Sequence, residues 1–201
     1  MILTEDLKDT LKELINISFG SATASIADLF DSFATLHIPK IEIIGVEMIE
    51  RKISGYYGED SVNLVTQNFN GEFSGEILFV ATSKDSLEIK NIVFEEPDST
   101  EYSMEDIQES LLEIANILGV TCIGKLGEML ETELMFLPPR INFENRSEII
   151  SYINKEYTNI IFVDTILEFK KLSIQTNLFI LVTEKSFVWL ESSLNEFLEE
   201  Y

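Results

Sequence analysis

Asp9, Glu13 and Asn16 fall at intervals of four and three residues, and the same intervals recur 100 residues further on as Glu109, Glu113 and Asn116. Two acids and an amide on one helical line invite three kinds of chemistry. Metal ligation is the first, since Glu-x-x-His on facing helices builds di-iron sites in bundles. Here the last place is Asn, and the one histidine, His37 in "LHIPK", reads as a packed or rim residue at a strand entrance. Zinc and iron therefore lack ligands. Nucleophilic catalysis has no Ser-His or Cys-His set beyond His37, and no G-x-S-x-G, phosphate loop or cofactor-binding glycine fingerprint is present. Water positioning is left. An amide oxygen accepts and its nitrogen donates, so Asn can orient a water without taking its proton. Phosphoryl transfer rewards that, because its loose transition state needs placement and charge neutralisation more than a strong base.

The elements that must carry these residues repeat. "ELINI" at 13–17 is echoed by "EIANI" at 113–117, and "PKIEI" at 39–43 by "PRINF" at 139–143. The chain reads as a duplication, residues 1–100 and 101–201, joined in the acidic, proline-bearing "EEPDSTEYS" near Thr100. Thr4 and Ser103 are placed to cap a first helix whose opening turn carries Glu5 and Asp6, or Glu105 and Asp106. A second helical segment is expected over 20–34 and 119–132, where Ala24 and Ala27 match Gly124 and Gly127 and allow close approach. Extended chain follows around Pro39 and Pro139. Two longer strands come next in each half, "SVNLVTQNF" with "EFSGEILFVAT" turning at Asn70-Gly71, and "YTNIIFVDTILEF" with "LSIQTNLFILVTE" turning near Lys170-Lys171. Leu172, Ile174, Thr176, Leu178, Ile180 and Val182 take one face, and Ser173, Gln175 and Asn177 the other. A closing helix ends each half, marked in the second by Phe187, Leu190, Leu194 and Phe197. The expected fold is α/β (α+β): a duplicated helix-helix-strand-strand-strand-helix unit, pseudo-twofold, with a central, mostly antiparallel sheet.

Rotation of about 100° per residue puts Leu7, Leu11, Leu14 and Ile15 on one apolar stripe, and Asn16, Asp9 and Glu13 within about 60° of one another on the far side. Ile107, Leu111, Ile114 and Ala115 take the phases of the stripe, and Glu109, Glu113 and Asn116 those of the line. A solvated helix face accounts for one such line. Asn is a mediocre helix former, and its recurrence beside Glu at matched positions weighs toward function.

Composition narrows the partners. The net charge is −22 with Lys and Arg scattered, so a nucleic-acid backbone is repelled rather than gripped. No uninterrupted apolar run spans a bilayer, and "MILTEDLKD" turns acidic at once, so neither a membrane span nor a signal peptide is read and a cytoplasmic location is expected. With 45% apolar residues among 201, the chain can bury a substantial core. The single cysteine, Cys122, reads as buried filler in a helix.

The two lines, each with a proline at fixed distance, resemble the CheC-type phosphatases of chemotaxis, a family that includes CheX and the phosphatase portion of FliY. Its signature is Asp/Ser-x3-Glu-x2-Asn-x22-Pro. Asp9, Glu13, Asn16 and Pro39 match it completely, and Glu109, Glu113, Asn116 and Pro139 match it except that Glu109 stands where the family has Asp or Ser. The resemblance implies a phosphatase acting on the aspartyl phosphate of a CheY-like response regulator. Asn16 and Asn116 would orient the hydrolytic water. Glu13 and Glu113 would pair with a lysine of the regulator, Asp9 and Glu109 would support the face, and Pro39 and Pro139 would be structural. It implies no cofactor held by this chain, with magnesium supplied by the regulator. Two sites in one chain resemble CheC, and a monomer, rather than the dimerising single-site CheX; FliY is set aside because no further carboxy-terminal domain follows. A CheD-like receptor deamidase is a second candidate partner. A non-catalytic adaptor for a phosphorylated regulator or deamidase, and a structural switch component, are the competing expectations.

Overall fold

A computed structural model describes residues 3–29, 34–58, 61–94, 103–142, 153, 157–169 and 172–200. The first helix, α1, runs unbroken from Glu5 to Leu29, and its counterpart α4 from Met104 to Met129. Of the separate helical segments expected over 20–34 and 119–132, residues 20–29 and 119–129 are the second halves of these two rods, while Ala34 opens the first strand and 130–132 leave the helix. Gly20 and Gly119 do not end them, since a mid-helix glycine costs only about 1 kcal/mol and the packed stripe outweighs it. Along α1, Leu7, Leu11, Leu14, Ile15, Phe19, Ala22 and Ile26 are buried. Each large side chain among them contributes roughly 1.5–3 kcal/mol. Polar residues in the rod return to it: Ser18 Oγ donates to the Leu14 carbonyl at 2.7 Å and Thr23 Oγ1 to that of Phe19 at 2.9 Å. Both expected caps form. Thr4 Oγ1 accepts from Leu7 N at 3.3 Å, and Ser103 makes a reciprocal box with Asp106.

Between the helices come β1 (Ala34–Gly45), a 3-10 turn (Val46–Met48), α2 (Ile49–Tyr57), the hairpin β2 (Val62–Asn70) and β3 (Gly75–Thr82), and α3 (Ser83–Val93). After α4 come the short β4 (Met135–Phe136) and β5 (Arg140–Asn142), the hairpin β6 (Asn159–Phe169) and β7 (Leu172–Val182), and α5 (Glu184–Glu200). The nine-residue α2 is not among the elements expected from the sequence, which run straight from β1 to β2. Asn70-Gly71 does open a hairpin, but Phe69 pairs with Gly75, so the connection is wider than the two-residue turn that dipeptide favours. Lys170-Lys171, and the joint near Thr100, lie outside the described residues.

All strand pairs are antiparallel, in the order β1-β6-β7-β3-β2-β4, with β5 also on β2. β3 and β7 meet at the centre, β1 with Pro39 pairs β6 at one edge, and β4 and β5, with Pro139 between them, pair β2 at the other. One face of the sheet carries α1, α3, α4 and α5 over the larger core. α4 has the length and composition to cross a membrane, and 56% of its apolar window is instead buried within this fold. The opposite face is partly covered by α2, Ile153 and Tyr157 over a second cluster that includes Leu78, Phe162, Phe179 and Leu181. The strict alternation expected of β7 therefore gives way to burial on both sides from Thr176 to Val182. Asn177, expected on the polar face, is fully buried, and its amide donates to Asp164 Oδ1 at 3.0 Å and accepts from the Tyr57 hydroxyl at 2.6 Å.

Candidate helix-face site

Side by side on the sheet, α1 and α4 pack against each other and turn their polar lines away from the core. Asp9, Glu13 and Asn16 are all exposed, as are Glu109 and Glu113; Asn116 is half-buried. The helical phases read from sequence thus hold for the five exposed members, whereas Asn116, expected to be displayed, is half-buried against β2. Among the described residues, no partner holds the Asn16 amide, and no group of three His, Cys, Asp or Glu side chains is placed to hold a metal ion.

The two lines differ in their surroundings. On α1, Lys12 Nζ donates to Asp9 Oδ1 at 2.9 Å and Lys8 Nζ to Glu5 Oε1 at 2.7 Å. On α4 the matched places hold Leu112 and Gln108. There Glu105, Glu109, Glu113, Asn116 and Pro139 line one open groove, so Pro139 and the amide belong to the same site wall. Pro39 lies in β1, and the ladder to β6 is irregular between His37 and Lys40, where proline offers no N–H. The backbone of Pro39 is described and its side chain is not. His37 is exposed, a rim residue as expected.

One residue beside the second line escaped the sequence reading. Gln67 of β2 is 3% exposed, and its Nε2 donates both to Asn116 Oδ1 at 2.9 Å and to the Leu137 carbonyl at 3.1 Å. Its signal was available: Val65, Gln67 and Phe69 share the strand face that packs under α4, and Gln67 is the polar member of that apolar register.

Arrangements of this kind define a class of fold. No family model matches the sequence. The chain has the mixed α/β fold shared by FliY, the FliM middle domain and CheX. FliY from Thermotoga maritima is 15% identical with a TM-score of 0.72, covering 98% of this chain and 100% of that one. The FliM middle domain from Vibrio alginolyticus is 12% identical with a TM-score of 0.64, over 92% and 99% of the two chains. CheX in its complex with CheY, BeF3 and Mg2+ from Borrelia burgdorferi is 12% identical with a TM-score of 0.52, over 85% and 97%. Because the solved FliY chain is covered along its full length, length does not set this chain apart from it.

Proposed function

We propose that this chain is a phosphatase of the CheC type, acting on the aspartyl phosphate of a CheY-like response regulator. One observation carries the reading: an acid-acid-amide line stands exposed on α1, with the Asn16 amide unengaged among the described residues, and the same line stands exposed or half-exposed on α4. A protruding helix face can enter a partner's active site, whereas a pocket would be needed to bring a small substrate here. Asn16 and Asn116 hold the attacking water in line by hydrogen bonds that do not remove its proton. Glu13 and Glu113, each three residues before the amide, anchor the face by pairing with a cation of the regulator. Asp9 and Glu109 support that contact, and Pro39 and Pro139 shape the neighbouring backbone. Magnesium belongs to the regulator in this reading, and the location is cytoplasmic. That a CheX has been solved with CheY supports the choice of partner class.

The test is loss of phosphate from a phosphorylated regulator of the same organism, with and without the chain. Asn16→Ala with Asn116→Ala is expected to abolish acceleration while the far-ultraviolet circular dichroism spectrum of the folded chain is kept. Full activity in that double variant refutes the mechanism.

A non-catalytic adaptor is the second reading, favoured by the likeness to a FliM middle domain and to a FliM solved in a complex with FliG. Saturable binding to the phosphorylated regulator without faster turnover would select it. A CheD-like deamidase remains a candidate partner on the sequence resemblance alone.

A further inference from the structure

We propose that Gln67 is a positioning residue that fixes the direction of the Asn116 amide, so that the second site is preorganised and the first is not. This deepens the phosphatase reading and rests on it for its consequence, though not for its geometry.

The direction follows from what each group can do. The Leu137 carbonyl can only accept, so the Gln67 group that meets it at 3.1 Å is the amino group. That same Nε2 lies 2.9 Å from the Asn116 side chain, which must therefore present its oxygen. Asn116 Nδ2 is left pointing away from the strand, with one lone pair on Oδ1 still open to accept from a water. Leu137 is itself held, its N–H donating to the Asn68 carbonyl at 2.9 Å. The relay thus runs from the backbone two residues before Pro139, through the strand, to the amide.

Two further features show that space is reserved for it. A Cβ added to Gly119 would sit 2.6 Å from Gln67 Oε1, closer than real Cβ contacts come, so glycine on α4 is what admits the Gln67 head group. Gln67 Oε1 is itself buried without a hydrogen-bond partner among the described residues. That cost is tolerated to put the amino group where it is needed. The first half is built otherwise. Gly119 is matched by Phe19, buried in the core. Lys40 pairs with Asp164 as Arg140 pairs with Thr66, so the strand position matching Gln67 is Thr165. A long amide over a glycine in one half is replaced by a short hydroxyl residue and a phenylalanine in the other. Asn16 must therefore be ordered when it meets its partner, and Asn116 is ordered beforehand.

The experiment reads the side-chain amides of Asn16 and Asn116 by 15N relaxation in the full chain, the signals assigned from the Asn16→Ala and Asn116→Ala variants. The amide of Asn116 is expected to be the more rigid of the two, and Gln67→Met, close in shape but unable to donate, to bring it to the mobility of Asn16. Equal mobility in the wild-type chain overturns the proposal whether or not the variant folds. So does an unchanged Asn116 signal in a folded Gln67→Met. In the dephosphorylation assay, Gln67→Met on the Asn16→Ala background is expected to lower kcat by about tenfold with KM little changed. An equal drop on the Asn116→Ala background would make the effect one of general folding and would also overturn it. Should the wild-type chain not accelerate dephosphorylation at all, the phosphatase reading fails, and the relaxation comparison decides the role of Gln67 by itself.

Discussion

Lys12 Nζ stands 2.9 Å from Asp9 Oδ1, one turn along the same face of α1, whereas on α4 the residue at the matched place beside Glu109 is Leu112. The contact holds the Lys12 ammonium above its ordinary pKa, first through the hydrogen bond to Asp9 and then through that carboxylate's charge. Lys8 Nζ likewise pairs with Glu5 Oε1 at 2.7 Å. The α1 face therefore reaches a partner with Glu5 and Asp9 already accompanied by cations, and the α4 face brings Glu105, Glu109 and Glu113 with no lysine among them.

The two sites should for that reason differ in their response to salt. With Asn116→Ala the chain works through the first site, and with Asn16→Ala through the second. As ionic strength rises, KM is expected to climb more steeply in Asn16→Ala, because attraction between the unaccompanied carboxylates and a cationic partner is what screening removes. Lys12→Leu should steepen the dependence of the first site toward that of the second. Identical salt profiles in all three variants would contradict this.

Tyr56 gives an alkaline signature. Burial, and then the charge of Asp164 and the hydrogen bond its phenol donates to Asp164 Oδ2 at 3.1 Å, push its pKa up to about 12. The unfolded phenol titrates near 10. The fold thus favours the neutral form, so this contribution to stability is complete below pH 10 and is lost as pH rises through about 12. Urea unfolding followed at pH 9, 11 and 12 should show a falling midpoint. Tyr56→Phe should fall less over that range, while being less stable at pH 8 by roughly 1 kcal/mol because Asp164 loses a half-buried donor. Parallel curves for the two proteins would argue against the assignment.

Cys122 should be silent toward thiol reagents in the folded chain. It is 1% exposed on α4, and burial pushes its thiol well above the ordinary value, which leaves little thiolate to react. Its rate of labelling by an aromatic disulfide is expected to match the rate or extent of global unfolding. Rapid labelling under native conditions would mean that α4 opens on its own.

What could be read before the fold was known depended on locality. The polar lines on α1 and α4 follow from helical phase, a property of neighbouring residues, and all their members but the half-buried Asn116 are exposed as the phase requires. The caps at Thr4 and Ser103 are equally local. Helix continuity was not legible, because Gly20 and Gly119 look like breaks until the sheet beneath them supplies the burial that carries the rod across. Nor was α2, in which Ile49, Ile53 and Tyr57 are buried against strands distant in sequence.

Spacing and residue type alone determined which side chains would be displayed together: Asp9, Glu13 and Asn16 on one helix, and Glu109, Glu113 and Asn116 on another. Tertiary structure decided that these two displays are unlike. Gln67 reaches Asn116 across 49 positions of sequence because β2 passes under α4 at Gly119, and no such reach is written in the spacing of either line. Hydrogen bonds between distant segments depend on register and approach, and those are fixed only when the strands pair and the helices settle on them.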